Sequence, residues 1–473
     1  MDDKRLDELI AGTLPSAPPD DVAGAVTPWR RAMCQVLWGF GLGAVTFNFN
    51  GLNYILPAIG TLLMLCGFRT LRRENAFFMA CYVVGIVRML AAIARLVVNS
   101  TVYAYDERVL EFWQNLAWPG VIMHLVLVLL LWNALSAVQR RAGQIPHAGA
   151  ALWLFVWNLV VAVLALIGAQ FGMLFGIALL AAYALIIRSL YKLYCELDGI
   201  GYVIKATPGR VSNRALTITL IAVTLALMAC GYVFFSKYPM DWLPAETSGE
   251  SETRAELVEL GFPEEVLADI SDEDVARCAG ATQVHCTKNE YGAVDVTMVA
   301  VQMPRDPLHW LTFHYFEIDD GLDYSTTEGI RLNSSYAMSS RDYYWIKAGE
   351  PTGMVLYNAE DATLSAPMAR IRAGTRTTSI MFGTYYNPVT YAGFSLPDGA
   401  ENVRGYVVHE MRNQKSWNGG LMIDSYFELY HRCGSITFPS KTAIDLYLYG
   451  GRADQSERLF SDYLDIYLDE WPG

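Results

Sequence analysis

The hydrophobic pattern divides the chain into two unlike halves. Seven apolar runs occupy the first: Met33 to Asn48, Leu52 to Phe68, Ala76 to Val98, Val121 to Val138, Ala151 to Ala169, Phe171 to Ile187 and Ala215 to Phe235. A bilayer-crossing helix needs about 20 mostly apolar residues, because about 30 Å of hydrocarbon is crossed at 1.5 Å per residue. Each run therefore predicts a span, several of them near the lower limit of length. Short turns at Asn48-Phe49-Asn50-Gly51 and Gly168 to Gly172 make hairpins of the first two spans and of the fifth and sixth. Between the third and fourth, Thr101 to Trp118 carries Tyr103, Tyr105, Phe112, Trp113 and Trp118 among acids. That segment predicts an amphipathic helix lying in the interface, where Tyr and Trp are favoured.

The period changes in the second half. Residues 236–253 are polar and rich in Pro, Ser and Glu, a linker pattern. Short helices follow over 254–280: Gly261 closes the first, Pro263 opens the second, and Ser271 with Asp274 starts a third. From Ala293 apolar and polar positions alternate. Strands are predicted at Ala293 to Met303, Leu308 to Ile318, Tyr343 to Ala348, Gly353 to Asn358, Arg376 to Gly383, Asn402 to Met411, Gly420 to Arg432 and Lys441 to Tyr449. Ser456 to Trp471 fits helix or strand. About eight strands after a helical start predict a β-sandwich or jelly roll over 281–473. The expected fold is thus an α-helical membrane bundle of seven transmembrane helices (32–235), then a mainly-β extracytoplasmic domain.

Charge orients the bundle. Lys4, Arg5, Arg30 and Arg31 precede the first span; Arg69, Arg72 and Arg73 follow the second; Arg140 and Arg141 follow the fourth; Arg188, Lys192, Lys205, Arg210 and Arg214 follow the sixth. The opposing loops contribute only Arg108. Fourteen basic residues against one place the N-terminus in the cytoplasm, and seven spans carry the second half to the other side. Residues 1–31, with Pro15, Pro18, Pro19 and many acids, read as a disordered cytoplasmic tail rather than a cleaved leader.

The net charge of −13 is not spread evenly: the second half carries a large acidic excess. An acidic exported domain repels nucleic acid and anionic lipid, which removes nucleic acid as a partner. Cys34, Cys66, Cys81 and Cys230 lie in spans, and Cys195 follows the sixth. Cys278, Cys286 and Cys433 remain outside, an odd number that allows one bridge without specifying it.

Two sets of residues carry a resemblance. Leu56-Pro57-Ala58-Ile59-Gly60, then Cys66-Gly67-Phe68 and the basic loop, form the first. Arg404-Gly405-Tyr406-Val407, Ser425-Tyr426-Phe427, Tyr430-His431 and Phe438-Pro439 form the second. With these the chain resembles uncharacterised bacterial polytopic membrane proteins with a C-terminal exported β-domain. No activity comes with the resemblance. Ala58 stands where an acidic residue often sits in such hairpins, so no role is carried to it.

Few residues offer chemistry. Arg88 and Arg95 share a face of the third span, and a cation at mid-bilayer is unfavourable by about 2.5–3.5 kcal/mol unless it faces a partner or water. His124, Asn133 and Asn158 are its candidate neighbours; a structural or snorkelling role is the bland alternative. The spans hold no Asp or Glu, which weakens proton coupling. Glu317, Asp319, Asp320 and Asp323 around Gly321 offer oxygen ligands for Ca²⁺, or simply an acidic turn. Tyr343, Tyr344, Trp345 and Trp417 offer platforms for a sugar ring, or core aromatics. Gly168, Gly172 and Gly176 have the spacing of close helix packing. Local signatures of serine hydrolases, zinc peptidases and phosphate-binding loops are missing, and no cofactor is expected.

The expected protein is therefore a non-enzymatic, multi-pass protein of the cell membrane. It binds or senses an envelope or extracellular ligand through its outer β-domain, alone or with a partner membrane protein. Two alternatives stay open: a small-solute permease capped by that domain, and a membrane-anchored hydrolase.

Overall fold

The computed structural model describes residues 28–44, 51–167, 172–200, 202–204, 211–245, 251–306, 309–334, 345–347, 349–360, 362–380, 383–413, 421–432, 436–448 and 457–468. The chain divides into two compact units, Met1–Asn99 with Asp106–Ala229, and Ser100–Tyr105 with Cys230–Gly473.

The first unit is helical: α1 (Pro28–Ala44), α2 (Leu52–Leu71), α3 (Ala76–Val98), α4 (Glu107–Arg141), α5 (Gly149–Leu166), α6 (Met173–Gly199) and α7 (Asn213–Phe234), whose last turn belongs to the second unit. Six of them, α2 to α7, are long and apolar enough to cross a membrane. The other, α1, is a 17-residue helix ending at Ala44, and residues 45–50 lie outside the described residues. Caps mark several starts. Asn75 accepts from Phe78 N at 2.9 Å before α3, and Asp106 accepts from Arg108 N at 3.0 Å before α4.

Two expectations for this unit are corrected. The interfacial helix expected over Thr101 to Trp118 is instead a 3-10 turn, Val102–Tyr105, followed by α4, which runs unbroken for 35 residues. Pro119 lies inside it; a proline removes one backbone hydrogen bond, too little here to end a helix with 22 residues beyond it. Close helix packing also falls elsewhere than expected. A Cβ added to Gly172 or Gly176 would meet nothing within 4 Å, and Gly168 lies outside the described residues. A Cβ on Gly60 would come within 2.6 Å of the Gly39 carbonyl oxygen, and one on Gly67 within 2.7 Å of that of Ala32. Backbone therefore meets backbone between α1 and α2, at the two glycines of the Leu-Pro-x-x-Gly and Cys-Gly-Phe strings.

The second unit is mainly β. Its elements are β1 (Leu243–Pro244), α8 (Glu252–Glu259), α9 (Glu264–Asp269), α10 (Asp272–Arg277), β2 (Val284–Tyr291), β3 (Val294–Gln302), β4 (His309–Ile318), β5 (Thr327–Ser334), β6 (Trp345–Lys347), β7 (Thr352–Asn358), β8 (Thr363–Pro367), β9 (Ala369–Ile380), β10 (Gly383–Ser395), β11 (Glu401–Asn413), β12 (Leu421–His431), α11 (Ala443–Leu448) and β13 (Glu457–Leu468). They form two antiparallel sheets. One has the order β1-β8-β7-β11-β4-β3-β2 with β6 also on β11; the other has the order β13-β12-β5-β10-β9.

Strand alternation explains the core. Val296, Met298, Phe316 and Val407 of the first sheet join Ile330, Leu332, Phe394 and Phe427 of the second in one buried cluster. Phe316 lies 5.7 Å from Phe394 and 6.2 Å from Phe427, ring centre to ring centre. The opposite face of the first sheet buries Val299, Leu311, Phe313 and Tyr406 against Leu257, Phe262 and Val266 of the short helices. Gly261 ends α8 at φ +100°, and Ser271 caps α10 by accepting from Asp274 N at 3.2 Å. Pro263 is the residue before α9, not its first helical one.

Thirteen strands among the described residues exceed the expected eight. β5 escaped because Glu328, Gly329 and Arg331 interrupt its apolar rhythm. Lys441 to Tyr449, expected as a strand, contains α11. Thr442 and Asp445 form a reciprocal cap there: Thr442 Oγ1 accepts from Asp445 N at 3.2 Å, and Asp445 accepts from Thr442 N at 3.1 Å. The ambiguous C-terminal stretch is a strand, β13, paired along β12.

Candidate functional site

In the first unit the structure brings together three of the five polar residues singled out in the spans. Arg88 of α3 hydrogen-bonds His124 Nδ1 of α4, and the Asn158 side chain of α5 meets the same imidazole. Phe40 lies 6.0 Å from the His124 ring, and Tyr183 donates to the Phe40 carbonyl at 2.7 Å. The other two residues are elsewhere. Arg95 lies over the rings of Tyr54 and Trp113, at 5.0 and 5.7 Å. Asn133 donates to the Leu129 carbonyl one turn back in its own helix at 2.9 Å.

The candidates in the second unit are less concentrated. Glu317 accepts from Tyr315 Oη at 3.2 Å, and Asp320 accepts from Asn402 N at 2.7 Å, fastening the start of β11. Asp323 lies beyond Gly321, whose φ of +103° makes the turn, and the Asp319 amide donates to the Ala293 carbonyl. Among the described residues, no group of three or more His, Cys, Asp or Glu side chains converges as a metal site. Trp345 sits in β6 opposite Asn413, while Tyr343, Tyr344 and Trp417 lie outside the described residues. Cys278 is buried and free, Cys286 is exposed and free, and Cys433 lies outside the described residues.

A different set of residues forms a recess in the second unit. Gly329 makes it possible: a Cβ there would meet Ile444 Cβ at 2.7 Å and its N at 2.8 Å, so only glycine lets α11 lie this close to β5. Beside α11 lies a small recess of about 10 Å³, room for about one water molecule, lined by Tyr238, Glu328, Arg370, Arg372, Tyr391 and Asp445 among others. Arg370 is held on three sides. It donates to the Tyr105 carbonyl at 2.6 Å, meets Asp445 at 3.5 Å, and lies over the Tyr238 ring at 5.3 Å. Its φ of +52° is left-handed, a conformation costing about 1–3 kcal/mol in a residue with a side chain and found preferentially at ligand-holding positions. Arg372, two residues along the strand, lies over the Tyr391 ring at 5.8 Å. Tyr238 in turn donates to the Val102 carbonyl at 3.2 Å and packs edge-on to Tyr103 at 5.4 Å.

Charge around the recess is balanced by close pairing. Lys441 lies over the Tyr105 ring at 5.6 Å; burial holds its pKa below the ordinary lysine value, with Asp445 acting the other way. Glu328 and His431 form a buried pair at 2.9 Å. Burial raises the Glu328 carboxyl, opposed by His431. Burial by itself would lower His431, but its hydrogen bond to Glu328 and the carboxylate charge outweigh that and raise it.

A further network joins α10 to the first sheet. Arg277 meets Asp274 at 2.9 Å and Glu410 at 2.8 Å, and His309 meets Glu410 at 3.2 Å. Burial raises the Glu410 carboxyl, yet Arg277, with His309 adding to it, holds it below its ordinary value.

Sequence reasoning missed Arg370, Arg372, Asp445 and Glu328, and named His431 only within the resemblance, without a role. The one local signal was the Thr442-x-x-Asp445 cap, which would have marked α11 and the acid beside it. Chemically, the recess brings guanidinium donors over flat aromatic faces with carboxylates alongside. No protein-family pattern matches the chain, and no curated protein matches it in sequence.

Proposed function

We propose that this is an integral protein of the cell membrane with seven spans and a cytoplasmic N-terminus. Its second unit is then an extracytoplasmic β-sandwich that binds or senses an envelope or extracellular ligand. The observation that carries the binding role is the recess, where the left-handed Arg370 is held against Tyr238 and Asp445. The fourteen-to-one distribution of basic residues supports the orientation. The cluster of buried side chains drawn from both sheets supports the sandwich.

Two native thiols test the orientation. Cys286 is exposed in the second unit and Cys195 is exposed near the end of α6. In variants keeping one or the other, a membrane-impermeant maleimide should label Cys286 in intact cells and Cys195 only after permeabilisation. Equal labelling of both in intact cells would refute the topology.

The recess is tested by thermal shift of the purified full chain against a panel of small organic acids and sugars. Arg372→Ala should keep the wild-type melting temperature within about 2 °C and lose at least tenfold in apparent affinity for any compound that stabilises the wild type. An unchanged response would remove the recess from the binding role.

One observation favours the permease alternative, the Arg88, His124 and Asn158 cluster within the bundle. The hydrolase reading has no such support: the His309–Glu410 pair is tied to Arg277 and so to the α10 network.

A further inference from the structure

Arginine has only donors, so in the Arg88–His124 hydrogen bond the imidazole Nδ1 must be the acceptor. The ring proton is then on Nε2, and the imidazole is neutral. Asn158 spends its own Nδ2 on the Leu154 carbonyl, at 2.7 Å. With Nδ1 taken by Arg88, the imidazole has only its Nε2 proton left to share, so the group of Asn158 that suits it is the amide oxygen, as acceptor. The three side chains together carry one positive charge.

Among the described residues of the bundle, no carboxylate is placed to balance it. Between Arg31 and Phe235 the acids are Glu74, Asp106, Glu107, Glu111, Glu196 and Asp198, all at helix ends or in loops. Along α3 the nearest is Glu74, fourteen residues away, which is about 21 Å at the helical rise. Glu74 is itself engaged by Arg141 at 3.6 Å and by Tyr202 Oη at 2.9 Å. Arg95, exposed in the last turn of α3, lies over two aromatic rings. Arg88 has an imidazole beside it instead, and a neutral imidazole supplies no negative charge.

We propose that Arg88, His124 and Asn158 form an anion site within the bundle, whose ligand is a small oxyanion, a carboxylate or a phosphate. A guanidinium fork matches two oxygens of such a group at once, and its charge is worth more away from water than in it. His124 and Asn158 position the fork: one N–H is fixed on the imidazole, and the remaining donors are left for the anion. The site is independent of the recess in the second unit and stands whether or not the spans transport anything.

The experiment uses the full chain in nanodiscs of zwitterionic lipid. Sodium acetate and sodium phosphate are each titrated against sodium chloride at constant ionic strength, and melting is followed. The wild type should show a saturable rise of about 3 °C with at least one oxyanion over chloride. Arg88→Gln should lose that response, and Arg88→Lys, a point charge without the fork, should keep a weaker one. His124→Gln leaves the guanidinium in place and should weaken the apparent affinity about tenfold. It carries the test if Arg88→Gln fails to insert. A parallel series replaces the zwitterionic lipid stepwise with phosphatidylglycerol. A rise that follows this lipid rather than the solute, and is lost in Arg88→Gln, assigns the oxyanion to a headgroup and keeps the site. A wild type indifferent to both, or variants that respond as the wild type does, overturns the proposal.

Discussion

The two units give their arginines opposite kinds of partner. In the second, Arg331 meets Glu428, Arg370 meets Asp445, Arg404 meets Asp269 at 2.6 Å, and His431 meets Glu328. In the first, Arg88 meets an imidazole, Arg95 two aromatic rings, and Arg69 the Asn213 amide oxygen and the Val211 carbonyl. Arg141, at the end of α4, does reach a buried acid there, Glu74. On the proposed topology, the difference follows from solvent. A domain that folds in water can bury an ion pair if both partners desolvate together and their remaining donors are satisfied. A carboxylate carried into hydrocarbon adds its own insertion penalty, so rings, carbonyls and amides are the less expensive partners.

The largest expected effect comes from breaking a pair in the second unit. Arg331 and Glu428 stand directly opposite each other on β5 and β12, and both are almost fully buried. Glu428→Ala leaves the guanidinium buried without its carboxylate and should destabilise the unit by about 3–5 kcal/mol. Hydrogen exchange of peptides from β5 and β12 in the full chain would localise the loss. Replacing both partners, as Arg331→Met with Glu428→Leu, should recover most of it. If the single variant exchanges like the wild type, the pairing contrast between the units is wrong.

A smaller effect concerns pH. Glu328 and His431 both have raised pKa values in the folded unit, so the folded state holds those protons more tightly than the unfolded chain does. Their contribution is present at low pH and is lost as pH rises, first above the ordinary carboxyl value of 4.5 and then above the ordinary imidazole value of 6.5. The pair also lies in the field of Lys237, Asp323 and Glu457, and the His431 ring is edge-on to Tyr324 at 6.1 Å. The wild type should therefore be less stable at pH 8 than at pH 6 by about 1 kcal/mol from this pair. His431→Gln should flatten the dependence. Melting curves of both proteins across that range would show it, and parallel curves would refute the assignment.

The same contrast explains what was legible in the sequence. Helices of the first unit were readable because hydrocarbon demands long apolar runs, and the Arg88, His124 and Asn158 grouping was readable because polar residues are rare there. What failed was local. Gly60 and Gly67 carry the close approach of α1 and α2, while the better-spaced Gly172 and Gly176 face open space. Spacing reports a helix face and cannot say whether a second helix lies on it. In the second unit the alternation found β3, β4 and β11, whose faces are both apolar. It missed β5, where Glu328 and Arg331 are buried by partners a hundred residues away. The recess was invisible for the same reason. Its residues come from β5, β9, β10, α11 and the stretch after α7, and only the fold brings them together.

The smallest expected effect sharpens the comparison from the bundle side. Arg95 lies in the last turn of α3, where a cation favours the helix dipole, and its guanidinium lies over Tyr54 and Trp113. Each interaction is worth at most about 1 kcal/mol at a partly exposed position. Arg95→Gln should therefore lower the stability of the full chain by about 1 kcal/mol or less and leave any oxyanion response at Arg88 unchanged. Arg95→Lys keeps the charge near the helix end but stacks less well, and should fall between the two. Melting temperatures of the three proteins in the same nanodiscs, with and without acetate, make the comparison direct. If Arg95→Gln loses the acetate response as Arg88→Gln is expected to, the two arginines act together. The distinction between a cation stacked on rings and one awaiting an anion would then have to be withdrawn.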